Sequence, residues 1–258
     1  MARRRNSNRR RRRGSFGFLY KLLSMLVICG AIIAALTLFF RVDTIVVTGT
    51  EQYTEDEVIA ATGVDHGDNL ILLNKYDVQN RIREQLPYIE WLRINRRYPA
   101  TLLVEVVREC RQPMAVVQDG SAWLVSTTGK IVDQKTAAEA ADYGKIDGCE
   151  LLAPSVGTPM ALATEYSGQA ESLVDLLTAL ETAGVLDKVD AIHLDDLSVL
   201  VMDYDGRFRV ELPYHADYDY KLQYLLAAVG NEDIATTDRH YTVRMTRDDG
   251  KVSFIPSA

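Results

Sequence analysis

Between Leu22 and Phe40 the chain reads LLSMLVICGAIIAALTLFF, 19 residues without a charge. That run is apolar on every face, and at 1.5 Å per residue a helix of this length spans roughly 28 Å of hydrocarbon. Beyond it the pattern shortens. Residues 42–48 (VDTIVVT) are rich in β-branched side chains and end at Gly49, which predicts a strand. Thr54-Glu55-Asp56-Glu57 places a carboxylate three residues after a hydroxyl, the arrangement of a capping box. The short helix it opens carries Val58, Ile59 and Ala61 and stops at Gly63. Val78, Ile82 and Leu86 recur every four residues, so a second helix runs from Asn74 or Asp77 to Leu86, with Pro87 beyond its end. Ile89–Arg96 predicts a strand and Arg97-Tyr98-Pro99 a turn. Thr101–Glu109 is the clearest strand, because Leu102, Val104 and Val106 alternate with Leu103, Glu105 and Val107. The order is β-α-α-β-β.

After Cys110 the texture becomes β-rich. Short strands are predicted at Met114–Val117, Ala122–Val125 and Lys130–Asp133, separated by Asp119-Gly120 and Thr128-Gly129 turns. Residues 134–160 carry Ala, Gly and Pro and read as irregular. Glu171–Ala183 is an amphipathic helix with Leu173, Leu176, Leu177 and Leu180 on one stripe. Val189–Leu194, Val199–Tyr204 and Phe208–Leu212 form a meander, Tyr218–Val229 a further helix, and Tyr241–Met245 with Lys251–Ile255 a last pair of strands about Asp248-Asp249-Gly250. The fold class expected is α+β. A basic tail occupies residues 1–21, a transmembrane helix 22–40, the β-α-α-β-β unit 41–110, and a β domain with two flanking helices 111–258.

Charge decides how the apolar run is read. The net charge of −7 hides a split, since residues 1–40 hold eight Arg and Lys21 with no acid, leaving 20 basic against 36 acidic side chains beyond. Positive flanks stay in the cytoplasm, so the N-terminus is expected inside and residues 41–258 outside, as in a single-pass type II protein. A cleaved signal peptide is the competing reading. The run exceeds the usual apolar length and ends in Thr-Leu-Phe-Phe rather than a small-x-small site, which favours an uncleaved anchor. The Arg run beside a span reads as topology and anionic-lipid contact rather than as a nucleic-acid arm.

Catalytic chemistry is not visible. His66, His193, His215 and His240 are dispersed, and no pair has the spacing that sets two imidazoles on one helix face. Asp203-Tyr204-Asp205-Gly206 resembles a calcium loop only until the register is counted: with Gly206 sixth, positions one and twelve are Val201 and Leu212, so it reads as a hairpin turn. There is no nucleophile elbow, Gly-rich phosphate cradle or Cys-x-x-Cys. No enzyme, cofactor, metal or catalytic residue is expected. Cys110 and Cys149 lie in the exported part, and their pairing stays open. What remains is a membrane-tethered binding module.

The run Leu86-Pro87-Tyr88-Ile89, then Ile94-Asn95-Arg96-Arg97-Tyr98-Pro99-Ala100-Thr101 through Val106, continuing as Arg111-Gln112-Pro113-Met114-Ala115, Trp123-Leu124-Val125 and Gly129-Lys130-Ile131, resembles the bacterial division proteins FtsQ and DivIB. These share a short tail, one span, a POTRA domain and a β domain. One departure is Ser126, where the family often has an acidic residue before the turn. The resemblance implies a non-catalytic scaffold of the divisome in the cytoplasmic membrane at the septum. It implies binding to FtsB/DivIC-like and FtsL-like bitopic proteins and a link to septal peptidoglycan synthesis, without nucleic acid. It also implies that partners bind the last two strands: Thr242, Val243, Arg244 and Met245, with Lys251, Val252, Ser253, Phe254 and Ile255. An edge strand offers backbone hydrogen bonds, and alternate side chains add specificity. The plainer reading of Val252 and Phe254 is core residues of a terminal hairpin. Arg96, Arg97, Tyr98 and Pro99 are a candidate POTRA contact whose plainer reading is a turn. The rival class is a POTRA protein of polypeptide translocation or outer-membrane assembly, which usually ends in a long alternating barrel.

Overall fold

The computed structural model describes residues 16–166, 168–231, 239–246 and 253–256. Two compact units emerge: one runs to Ile45 and takes in Asp65–Leu73 and Arg96–Leu102, and the other holds Val46–Val64, Asn74–Asn95 and the chain from Leu103 onward.

The first unit contains α1 (Phe16–Phe39), whose stretch Gly17–Phe39 is long and apolar enough to cross a membrane by length and composition. Its two hydroxyl-bearing aliphatic side chains bond within the helix: Ser24 Oγ donates to the Lys21 carbonyl and Thr37 Oγ1 to that of Ala34. After Phe40 the backbone is taken up at once by neighbours. Arg41 bridges Asn69, Val42 N–H donates to the Asp68 carbonyl at 2.8 Å, and Asp43 N–H donates to that of Ala100 at 2.8 Å.

The β-α-α-β-β order appears as β1 (Thr44–Thr48), α2 (Glu55–Thr62), α3 (Lys75–Gln85), β2 (Ile89–Arg97) and β3 (Thr101–Glu109), with sheet order β1-β3-β2. Each helix starts where its side chains say it should. Thr54 Oγ1 accepts the Glu57 N–H while Glu57 Oε2 accepts the Thr54 N–H at 2.8 Å, completing the capping box. Asn74 Oδ1 caps α3 through the Tyr76 N–H. Val58, Val78, Ile82, Ile89, Leu102 and Val104 are fully buried. Near the end of β3, Glu109 is buried and its Oε2 accepts the N–H groups of Glu51 and Gln52, so the carboxylate holds the loop after β1.

Among the described residues, the rest of the chain is built on a nine-stranded mixed sheet. In chain order it comprises β4 (Met114–Gln118), β5 (Ser121–Val125), β6 (Ile131–Thr136), β7 (Lys145–Asp147), β8 (Val189–His193), β9 (Val199–Tyr204), β10 (Phe208–Pro213), β11 (Tyr241–Arg244) and β12 (Ser253–Pro256); the spatial order is β12-β11-β10-β9-β8-β7-β4-β5-β6. Helices α4 (Gln169–Ala183) and α5 (Tyr218–Val229) bury Leu173, Leu176, Leu180, Leu222 and Leu225 against one face, over Val116, Ile146, Ile192 and Val210. The other face carries a smaller cluster of Ala115, Leu124, Val132, Ala140 and Cys110.

One strand is absent from the sequence pattern. Residues 134–160, expected to be irregular, contain β7, which lies between β4 and β8 and is parallel to both. Its flanking glycines are required by the crowding there. A Cβ on Gly144 would lie 2.8 Å from the Val189 carbonyl oxygen, and one on Gly148 would lie 2.5 Å from Asp195 N. The Asp205-Gly206 pair does turn a hairpin between β9 and β10, with φ of 54° and 62°. Ser126 is fully buried, and its Oγ accepts the Lys130 N–H at 3.3 Å and contacts Thr128 Oγ1 at 2.9 Å, so a hydroxyl closes this turn. Cys110 and Cys149 are both free thiols. They pack against clusters on opposite faces of one sheet, which accounts for the missing bond.

Candidate partner-binding edge

Strand β11 enters the large sheet parallel to β10, with Phe208 opposite Tyr241 and Glu211 opposite Arg244. Strand β12 then pairs antiparallel to β11, matching Thr242 with Ile255, Val243 with Phe254 and Arg244 with Ser253. Among the described residues no strand pairs with the far side of β12. The opposite edge, β6, is partly covered, since Gly157 N–H donates to the Ile131 carbonyl and Ile131 N–H to that of Thr158.

The direction of the backbone groups follows from β10. Tyr241 N–H donates to the Arg207 carbonyl at 3.0 Å and Met245 N–H to that of Glu211 at 2.9 Å. Tyr241, Val243 and Met245 therefore spend their amides on β10, and alternation turns those of Thr242 and Arg244 toward β12. Through the observed register, the N–H and C=O of Ser253 and Ile255 face β11, while those of Phe254 and Pro256 face outward. Pro256 has no N–H, so among the described residues Phe254 carries the outward donor of this edge.

Side chains divide the two faces. Val243 and Met245 are buried, and the half-buried Phe254 ring packs on the same core, edge-on to Tyr241 at 5.9 Å; Tyr241 in turn stacks on Phe208 at 6.3 Å. On the other face Arg244 Nε donates to Glu211 Oε2 at 2.6 Å, a contact that raises the Arg244 pKa, and Ile255 is exposed. Lys221 of α5 is buried, and its Nζ donates to the Met245 carbonyl at 2.9 Å, which fastens the end of β11.

The ladder thus brings together Thr242, Val243, Arg244, Ser253, Phe254 and Ile255; Met245 lies one residue past the strand, and Lys251 and Val252 lie outside the described residues. The sequence reading omitted Tyr241, Pro256 and Lys221. The alternation of Tyr241 with Val243 and Met245 marks the first of these, and a proline closing a strand pattern marks the second. Arg96, Arg97, Tyr98 and Pro99 belong to the first unit. The Arg96 guanidinium donates to the Leu73 carbonyl, Arg97 is exposed, the Tyr98 ring meets Phe40 at 5.3 Å, and the Tyr98–Pro99 bond is cis.

A second polar constellation lies within the larger unit. Arg108 Nε sits 2.8 Å from Glu90 Oε2 without hydrogen-bond alignment, and its terminal nitrogen reaches Glu181 and Thr127. The Glu90 carboxylate, 5% exposed, also accepts Thr128 Oγ1 at 2.9 Å. Tyr88 Oη donates to Asp133 at 3.2 Å, and Lys130 Nζ to the Arg83 carbonyl at 3.0 Å. Burial, then the Asp133 charge, pushes the Tyr88 phenol up, while burial lowers Lys130. These groups tie the residue before β2, β2 itself, β3 and α3 to β6, to the turn before it and to α4. Beside them a cleft of about 790 Å³ exposes Trp91 and Val107.

The family of FtsQ-type POTRA domains matches residues 40–108. The cell division protein DivIB of Streptococcus gordonii is 30% identical over 129 residues, covering 47% of this chain and 32% of that protein. FtsQ of Geotalea daltonii is 26% identical over 168 residues, 63% of this chain and 57% of its own. FtsQ of Syntrophotalea carbinolica is 26% identical over 190 residues, 72% and 64% respectively. The matched part of the chain spans 32% to 64% of the length of these relatives.

Proposed function

Because the chain belongs to the FtsQ/DivIB family of cell division proteins, we propose that it is a non-catalytic scaffold of the division machinery, anchored by α1 with its folded domains outside the cytoplasm. It acts by accepting a strand from an FtsB/DivIC-like bitopic partner along β12, alongside an FtsL-like protein, and so links them to septal peptidoglycan synthesis. The observation that carries this reading is the outward face of β12, with the Phe254 N–H and C=O directed away from the sheet and Ile255 exposed. An added strand would satisfy those groups and place alternate side chains beside Phe254. The translocation class usually ends in a long alternating barrel, whereas the strands among the described residues form an open order ending at β12 and β6.

The test uses the full chain in dividing cells, with a photo-crosslinking residue at Ile255 and another at Gln134 of β6. Capture at 255 of a small single-span protein with a coiled-coil segment, together with septal localisation, supports the reading. Capture at 134 alone, or uniform distribution around the membrane, sinks it.

A further inference from the structure

An α-helix leaves its last four carbonyls without helical partners, and at bilayer depth such groups must be satisfied by protein. At the end of α1 the Leu36 carbonyl takes the Phe40 N–H, and that of Thr37 takes Asn69 Nδ2 at 3.2 Å. The same Asn69 side chain also organises its own turn, since Oδ1 accepts the N–H groups of Ile71 at 2.9 Å and Leu72 at 3.0 Å. Leu70 N–H donates to the Phe40 carbonyl at 2.9 Å, and Leu73 N–H to that of Asn69 at 3.0 Å. The Arg96 guanidinium holds the Leu73 carbonyl at the far end. The turn 69–73 is thereby bonded to the last turn of the apolar helix, inside the same compact unit.

The apolar side chains of this turn point two ways. Leu70 is fully buried, whereas Leu72 is 76% exposed and Ile71 39%. In the same unit Tyr98 is 59% exposed, with its ring edge-on to Phe40, and Arg41 and Arg97 are exposed as well. Asp65 and Asp68 open the loop and are exposed, and the backbone N–H of Asp65 donates to Asp68 Oδ2 at 3.0 Å. A single exposed leucine needs no explanation. Two exposed aliphatic residues, a tyrosine and two arginines fixed to the end of a hydrocarbon-length helix form a different pattern. Aliphatic side chains reach the acyl boundary, tyrosine sits at headgroup level, and guanidinium groups meet lipid phosphates.

We propose that Ile71, Leu72 and Tyr98 seat the end of this unit in the headgroup–acyl boundary of the bilayer, making the lipid surface a second, interfacial contact of the chain. The inference rests on reading α1 as a membrane span. It gives the Asn69 amide a specific role, positioning the turn against the helix end, and it assigns the Tyr98 turn to lipid.

The full chain, with Trp91→Phe and Trp123→Phe to remove background, is reconstituted into phosphatidylcholine–phosphatidylglycerol vesicles with plain or brominated acyl chains. Three tryptophan variants are compared: Leu26→Trp within the span, Leu72→Trp in the turn, and Leu197→Trp at an exposed leucine of the other unit. The expected result is loss of emission in brominated vesicles for L26W and L72W, a blue-shifted maximum for L72W, and neither effect for L197W. Adding Asn69→Asp, which keeps the acceptor and loses the donor, lowers the quenching of L72W and leaves that of L26W unchanged. If L26W is quenched and L72W behaves like L197W, the interfacial contact is refuted and the span stands. If L26W is not quenched, the span reading fails and the proposal with it.

Discussion

Proline at two neighbouring positions of β12 should act on opposite sides of the strand. Ser253 directs its N–H at β11, so Ser253→Pro breaks the sheet's own ladder opposite Arg244. Losing that bond and stranding its acceptor destabilises the strand pair by about 1–3 kcal/mol. Phe254 directs its N–H outward, where no described strand meets it, and edge strands tolerate proline in that orientation. Phe254→Pro also deletes a half-buried ring packed on Tyr241, so Phe254→Ala is the reference that loses the ring alone. Loss of the ring weakens partner binding by about 1–3 kcal/mol if it anchors the interface. The step from alanine to proline then removes one hydrogen bond to the incoming strand, a further 0.5–1.5 kcal/mol or so. Since about 1.4 kcal/mol is tenfold in affinity, the two variants should differ by several-fold.

The assay is calorimetric titration of the full chain, held in nanodiscs, with the partner's extracellular segment, alongside thermal unfolding of each variant. Ser253→Pro should lower the unfolding midpoint, and Phe254→Pro should match Phe254→Ala in stability while binding more weakly. Equal affinities for Phe254→Pro and Phe254→Ala in folded protein would refute strand addition at this edge. So would weakened binding by Ser253→Pro with an unchanged midpoint, because its donor would then have to face the partner.

Gly49 has φ +84° and an added Cβ would lie 2.2 Å from the Val106 carbonyl oxygen, so Gly49→Ala should cost about 3 kcal/mol or more in urea unfolding, against about 1 kcal/mol for Gly120→Ala, where nothing lies within 4 Å. Arg108→Met leaves the Glu90 carboxylate buried without its cation; with Arg108 itself 38% exposed the loss should be about 1–3 kcal/mol by the same measurement, and Glu90→Gln in the same chain should recover part of it. Burial pushes Cys110 up to about 12 and Cys149 to about 11 from 9.0, so the unfolded chain gives up these protons first. Their contribution to stability is complete below pH 9 and declines as pH rises through 9 toward 11–12; Cys110→Ser and Cys149→Ser should flatten that alkaline limb in denaturation series. Alkaline phosphatase joined after Asp43 should be active and after Arg13 inactive, and the reverse would overturn the proposed orientation.

Elements defined by their own residues were legible. The Thr54–Glu57 box, the bounds of Thr101–Glu109 and the α5 span Tyr218–Val229 follow from local chemistry, because capping, alternation and helical period are each written within a few residues. Strand β7 was not legible for the converse reason. Lys145-Ile146-Asp147 has one apolar side chain and two flanking glycines, and its place comes from Ala115 and Ala191, some 30 and 46 residues away in the chain. The fate of the cysteines likewise depends on which face of one sheet each occupies, and sequence spacing says nothing about that.

The edge shows the same limit at the scale of a single amide. Alternation in the sequence separates Val243 and Phe254 from Thr242 and Ile255, and so tells which side chains share a face. It does not tell which N–H is free. That follows from the parallel pairing of β11 on β10, where Tyr241 donates to Arg207 and Met245 to Glu211. Had β11 been placed one residue over, Ser253 would carry the outward donor and Phe254 the inward one. A residue near the end of β12 is thus made available, or withheld, by a pairing two strands away, and Pro256 then withdraws the next outward donor. An edge with its outward donor at Phe254, beside a half-buried ring, suits a short partner strand held in one register better than open-ended sheet growth, which proline at an edge discourages.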